Sequence, residues 1–210
     1  MFTKTLSPNA AAALALLGES GILNDGYLAG GTACALQIGH RVSLDLDFFT
    51  EIEFNTEVVL GQLDKLPGFK LDETAKWTIL GNFPKVKFSY FYYPYPLIKK
   101  TTYFSKINLS SLEDIAAMKI AAICDRGTKR DFIDLYFLAK KFSLEQIFKF
   151  YDRKYKKLSS NIFHIVRSLD YFVDAEEQNS PDMLIPISWE EVKKFYQEQT
   201  IKLAKHKLKI

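Results

Sequence analysis

The chain has 210 residues, of which 48% are hydrophobic, 14% aromatic and 25% charged, with a formal net charge of +3. That length suits one compact body or a domain with an appendage, and the composition excludes a disordered or fibrous protein. The charge is too small for a coat-like nucleic-acid binder, yet it does not repel a partner that carries phosphate. From the N-terminus, Ser7 as N-cap and Pro8 at the first helical position predict a helix over 8–19. A strand over 26–30, a helix over 32–39, a strand over 43–49 and a helix over 55–66 follow. Three β-rich segments come next, near 69–74, 77–82 and 85–92, with Gly81, Asn82 and Pro84 as turn punctuation. Ser110-Ser111-Leu112-Glu113 reads as a capping box that opens a helix to about Cys124, and helical periodicity continues near 130–141, 144–155, 160–174 and 189–205. An α/β half over 1–109 thus precedes a helical half over 110–210. The aromatic-rich join at 93–110 is expected to pack rather than to act as a flexible linker.

Two cysteines, Cys34 and Cys124, lie in apolar helix-like stretches, which excludes a disulfide scaffold and suits reduced, buried thiols in the cytoplasm. The Ala-rich run after Lys4 reads as a helix rather than a secretion signal, because Pro8, Asn9 and Glu19 bracket it. No apolar run approaches the roughly 20 residues that a membrane helix needs.

Chemistry concentrates in YLAGGTACALQIGHRVSLDLDFF, residues 27–49. A strand that runs through Gly30-Gly31-Thr32 into a helix gathers backbone N–H groups at a helix N-terminus, a setting for an anion such as phosphate, although glycine also serves a tight turn for steric reasons alone. Asp45 and Asp47 stand two apart in a strand-like run, so both carboxylates share one face while Leu44, Leu46 and Phe48 turn to the core. Such a pair repels itself unless a cation sits between, and hard oxygen ligands suit Mg²⁺. Arg41 reads equally as a phosphate contact or as a surface residue. In 118–138, MKIAAICDRGTKRDFIDLYFL, Lys119 lies inside an apolar helix and shares a face with Arg126, seven residues on. Gly127 is placed to end that helix, and Arg130 and Asp134 are spaced to pair at i, i+4. No P-loop, zincin or nucleophile-elbow pattern is present, and His40, His164 and His206 have no metal-ligand spacing.

Gly-Gly-Thr followed by Asp-x-Asp, fourteen positions from the second glycine to the first aspartate, resembles the signature of the DNA polymerase β-like nucleotidyltransferase superfamily. GGTACALQIGHRVSLDLDFF, the intervening KVKFSYFYYPYPLI and MKIAAICDRGTKRDFIDLYFL together resemble the AbiEii-type nucleotidyltransferase toxins of type IV toxin–antitoxin systems. The resemblance implies an α+β fold, with a polymerase β-like core of mixed sheet and a C-terminal helical bundle that packs on it and completes the active site. It implies Mg²⁺ on Asp45 and Asp47, and an NTP whose phosphates meet Gly30, Gly31, the Thr32 hydroxyl, Arg41 and Ser43. Lys119 and Asp131 match active-site positions of the family, and Arg126 and Arg130 would add phosphate contacts. The implied reaction moves a nucleoside monophosphate to an acceptor hydroxyl, with the tRNA 3′ end as first acceptor, a cognate antitoxin as partner and the cytoplasm as location. A protein or small-molecule acceptor, or a nucleotide-binding module without turnover, stands as the alternative. One departure is visible: where many superfamily members carry a third carboxylate, residues 86–91 (VKFSYF) hold no acid, and Ser89 occupies the position. That leaves three readings: one metal suffices, Asp131 or Asp134 serves as ligand or general base, or activity is lost. Lys85 and Lys87 are expected on the strand face of Ser89. The basic stretches 149–157 and 202–209 read as solvated amphipathic faces, or as an RNA backbone track if the acceptor is RNA. The aromatic run FSYFYYPYP reads as core before it reads as a stacking surface for bases.

Overall fold

The first half of the chain builds a seven-stranded mixed sheet in the computed structural model, which describes residues 1–207. The chain divides into two compact units, Met1–Ser111 and Leu112–Ile210. In the first, the Ser7 side chain accepts from the Ala10 N–H at 3.1 Å and opens helix α1 (Pro8–Ser20). Strand β1 (Tyr27–Leu28), helix α2 (Gly30–Ile38), strand β2 (Leu46–Thr50) and helix α3 (Thr56–Leu63) follow. The strands β3 (Lys70–Ala75), β4 (Thr78–Phe83), β5 (Val86–Tyr92), β6 (Thr102–Phe104) and β7 (Ile107–Leu109) complete the sheet, in the order β3-β4-β5-β2-β1-β7-β6. β3, β4 and β5 form an antiparallel meander, β2 runs parallel to β5, β1 antiparallel to β2, and β7 parallel to β1.

One face of the sheet is apolar and buried: Leu46 and Phe48 on β2, Phe88 and Tyr90 on β5, Ile79 and Phe83 on β4. The Phe48 and Phe88 rings meet at 5.9 Å across the parallel pair. Period-two alternation then sets Asp47 and Phe49 of β2 on the other face, in register with Ser89 and Phe91 of β5.

Four details depart from the sequence pattern. Gly30 and Gly31 lie inside the first turn of α2 rather than in a loop before it. β2 begins at Leu46 rather than at 43, because Ser43 N–H donates to the Thr5 carbonyl at 2.9 Å and draws this segment out of the ladder; Leu44 is in consequence 50% exposed instead of buried. The 93–110 join contains the hairpin β6–β7, which has no Asn-Gly or Asp-Gly signal: Ser105 and Lys106 both adopt positive φ, 49° and 60°, as a two-residue primed turn requires. Lys85, at φ 61°, belongs to the β4–β5 turn, so Lys87 alone joins Ser89 on the strand face. In the FSYFYYPYP run Tyr90 is buried, while Phe91, Tyr92, Tyr93 and Tyr95 are half-buried.

The second unit holds α4 (Leu112–Asp125), α5 (Lys129–Ala139), α6 (Leu144–Tyr155), α7 (Leu158–Leu169), α8 (Val173–Glu176) and α9 (Trp189–Lys207). The periodic stretch 160–174 is two helices rather than one, since the Asp170 and Tyr171 N–H groups bond three residues back and tighten the end of α7. Phe132 packs its ring against Phe172, Trp189 and Tyr196 at 5.2–5.9 Å, and the Tyr196 hydroxyl donates to the Phe132 carbonyl at 2.8 Å, tying α9 to α5. Within the basic stretch 149–157, Lys154 does not face solvent: it is buried and pairs at 2.9 Å with buried Asp114 of α4. The stretch 202–209, with His206, runs beyond residue 203 out of the described side chains. No helix among the described residues is long and apolar enough to cross a membrane.

Asp114→Ala would leave the Lys154 ammonium buried beside an empty place, and is expected to destabilise the protein by about 3–5 kcal/mol in urea unfolding. The double variant Asp114→Leu/Lys154→Met, which removes both charges, is expected to recover most of that loss.

Candidate active site

Two clusters carry the chemistry, one in each unit. In the first, β1 passes into α2 through Ala29, whose N–H donates to the Asp47 carbonyl at 2.9 Å and pins the helix start to β2. Gly30 opens α2 at φ 63°, and a Cβ there would lie 2.9 Å from Asp47 Oδ2. The position therefore requires glycine twice, for its backbone conformation and for the approach of the carboxylate. A Cβ on Gly31 would collide with Arg41 Nη2 and stand 3.3 Å from Ser43 Oγ. The first N–H groups of a helix have no intrahelical acceptor and carry its positive end, so this turn presents donors to an anion.

Arg41 is 3% exposed and donates through Nη1 to the Val42 carbonyl at 3.0 Å, so it is a buried residue rather than a surface one, packed against the glycine turn. Thr32 is 1% exposed, and its hydroxyl lies 2.9 Å from Ser43 Oγ and donates to the Asp45 carbonyl. The Thr32 hydroxyl thus ties α2 to the segment that bears Asp45. Asp47 Oδ1 accepts from Ser89 Oγ at 2.7 Å. The structure therefore brings Gly30, Gly31, Thr32, Arg41, Ser43 and Asp47 together, with Asp45 held through its carbonyl. Ser89, singled out only as the place of a missing acid, proves to be a hydrogen-bond donor to Asp47.

The second cluster lies where α4 ends and α5 begins. Gly127 N–H reaches back to the Ala122 carbonyl at 3.1 Å with φ 49°, closing α4 in a left-handed cap. Lys119 is buried and lies 2.8 Å from Asp131 Oδ1 and 2.6 Å from Asp134 Oδ2. Arg126 Nε sits 3.0 Å from Asp131 Oδ2, while the Arg126 side chain stays 62% exposed. The Thr128 hydroxyl donates to Asp131 Oδ2 at 2.6 Å and caps α5 by accepting from the Asp131 N–H. Thr128 was not anticipated, although Thr-x-x-Asp ahead of an apolar run is a capping pattern legible in the sequence. Asp134 of α5 pairs with Lys119 of α4. Arg130 is exposed on α5.

Burial alone would raise the Asp131 carboxyl, but the Lys119 charge and the hydrogen bonds from Arg126 and Lys119 overcome it and hold the group well below the usual carboxylate range. A carboxylate so held does not take up a proton near neutral pH. Asp131 thus stands as an ionised carboxylate between Lys119 and Arg126.

Solved proteins share this architecture. JHP933 from Helicobacter pylori aligns over 97% of each chain with a TM-score of 0.55 at 21% identity. MenT4, the nucleotidyltransferase toxin Rv2826c of Mycobacterium tuberculosis H37Rv, aligns over 93% of this chain and 85% of its own with a TM-score of 0.56 at 17% identity. In sequence, the uncharacterized protein aq_aa25 of Aquifex aeolicus (strain VF5) is 40% identical over 185 residues, which is 85% of this chain and 88% of that one. The mixed α+β fold is that of these solved proteins, and the sequence family places the chain among the nucleotidyltransferases. The chain belongs to the AbiEii family, the nucleotidyl transferase toxins of type IV toxin–antitoxin systems, whose sequence pattern matches residues 13–198. It is accordingly an enzyme that draws on an NTP, and its family makes an antitoxin its partner.

Two outcomes follow from this geometry. Gly30→Ala is expected to cost about 1–2 kcal/mol of stability from the left-handed backbone alone, and in addition to displace Asp47 and lower transfer; unfolding and turnover measured on one preparation check both. The folded pKa of Asp131 lies below its unfolded value of about 3.9, so the stability it contributes is complete above that pH and lost as pH falls towards the folded value. Wild type should therefore lose Tm on acidification below about pH 4, and Asp131→Asn should flatten that limb while lowering Tm at neutral pH.

Proposed function

We propose that this chain transfers a nucleoside monophosphate from an NTP to an acceptor hydroxyl in a Mg²⁺-dependent reaction, that the acceptor is the 3′ end of tRNA, and that it acts in the cytoplasm as a toxin restrained by a cognate antitoxin. The observation that carries the reading is the packing of the Gly30-Gly31 turn against Asp47, with buried Arg41 and Ser43 at the same turn. Phosphate oxygens would accept from the α2 N-terminal N–H groups and meet the Arg41 guanidinium.

Asp45 and Asp47 would hold the divalent ion. Their donor set fits it: hard carboxylate oxygens on alternate positions of one segment, one of them already oriented by a hydroxyl. When bound, Mg²⁺ would offset phosphate charge and activate the attacking hydroxyl. Thr32 would serve as a positioning residue for Asp45, through its bond to the Asp45 carbonyl. In the helical unit, Lys119 and the exposed Arg126 guanidinium would supply positive charge to the phosphates, with Asp131 as the anion that orients both and Arg130 as a further contact on α5. Support for a toxin role comes from family membership, and MenT4 is itself described as a nucleotidyltransferase toxin.

The test incubates purified protein with Mg²⁺, each labelled NTP in turn and bulk tRNA. Label is expected on tRNA with wild type, and Asp45→Ala and Lys119→Ala are expected to reduce it by about 10²–10³-fold, the range for removal of one preorganised charge stabiliser. Binding to tRNA should fall steeply with salt, as it does for any contact made through phosphates. Transfer that survives Asp45→Ala would sink the metal assignment. Label that reaches protein or an aminoglycoside instead of tRNA would move the acceptor to those classes, and nucleotide binding without any transfer would leave a binding module.

A further inference from the structure

Ser89 is the β5 residue in register with Asp47 of the parallel neighbour β2. It is buried, its Oγ donates to Asp47 Oδ1 at 2.7 Å, and the residue opposite it on β4 is Leu80, whose side chain offers no acceptor. The other carboxylate oxygen, Oδ2, is the one that lies against Gly30 at the start of α2. A carboxylate with one oxygen engaged by a fixed donor and the other packed on a helix start has lost its freedom to rotate about the bond to Cβ.

We infer that Ser89 is a positioning residue for the metal ligand Asp47: its hydroxyl holds Oδ1 so that Oδ2 is presented at the first turn of α2, and a divalent cation takes one oxygen from Asp47 rather than both. The inference rests on the reading of Asp45 and Asp47 as the metal ligands. It gives the position where an acid was expected a different task, since a serine there adds no charge to the site and fixes the charge already present. A neutral donor orients its neighbour, whereas a third carboxylate in register with Asp47 would repel it in the absence of metal.

The experiment is titration of the full chain with Mn²⁺ alone, followed by the electron paramagnetic resonance signal of the free ion, with far-ultraviolet circular dichroism to show folding. Ser89→Ala is expected to weaken Mn²⁺ binding about 10–100-fold, the usual effect of removing a hydrogen-bond partner of a metal ligand. Ser89→Thr, which keeps the hydroxyl, is expected to restore it. Ser89→Cys matches serine in shape but is a poor donor, and it carries the same comparison should the alanine variant fold badly. Wild-type affinity in Ser89→Ala or Ser89→Cys, with binding lost in Asp47→Asn, overturns this inference alone. Wild-type affinity in Asp47→Asn overturns the metal reading and this inference with it.

Discussion

The α/β unit is organised around the approach of one carboxylate to the start of one helix. Asp47 Oδ2 lies where a side chain on Gly30 would begin, the Asp47 carbonyl accepts from Ala29, and Asp47 Oδ1 accepts from Ser89. Three strands and a helix are thereby fixed around a single residue: β1 leads into α2, β2 carries the aspartate and β5 the serine. An anionic oxygen beside a helix N-terminus is electrostatically favourable in itself, because the unbonded N–H groups there carry the positive end of the helix dipole. The same N–H groups have the chemistry to donate to a phosphate, which is why the nucleotide is proposed to bind at this turn.

In the helical unit the charges are arranged differently. Lys119 sits between Asp131 and Asp134, and Asp131 also receives Arg126 and Thr128. Two cations against two anions leave this cluster close to neutral, which is how four ionisable groups tolerate proximity with three of them buried. Of the four, only Arg126 keeps most of its side chain in water. The mild net charge of +3 is therefore the residue of local pairing, and it says little about how strongly either cluster attracts an anion.

Much of the fold was legible in the sequence because the signals were local. Ser7-Pro8 capped α1, the apolar alternation drew β4 and β5, and Gly127 closed α4. The glycine turn and the paired aspartates were legible for the same reason, since a helix start and a period-two alternation are both properties of a few consecutive residues. The hairpin β6–β7 was not, because its turn uses Ser105-Lys106 where the strong turn signal would be Asn-Gly or Asp-Gly. The late start of β2 was not, because the competing hydrogen bond comes from Thr5, almost forty residues away in sequence. Lys154 looked like one cation in a basic stretch, and only its pairing with Asp114 across two helices removes it from the surface.

Sequence by itself determined the family, the α+β order of elements and the residue types that can hold a metal and a phosphate. Tertiary structure alone decided what each of those side chains does. It turned the Thr32 hydroxyl inward as a tether, set Arg41 against Gly31, gave Ser89 to Asp47, and surrounded Asp131 with cations that hold it ionised. The physical reason is that residue identity states which bonds a side chain can make, whereas competition among partners distant in sequence, settled by strand register and burial, selects the bonds it does make.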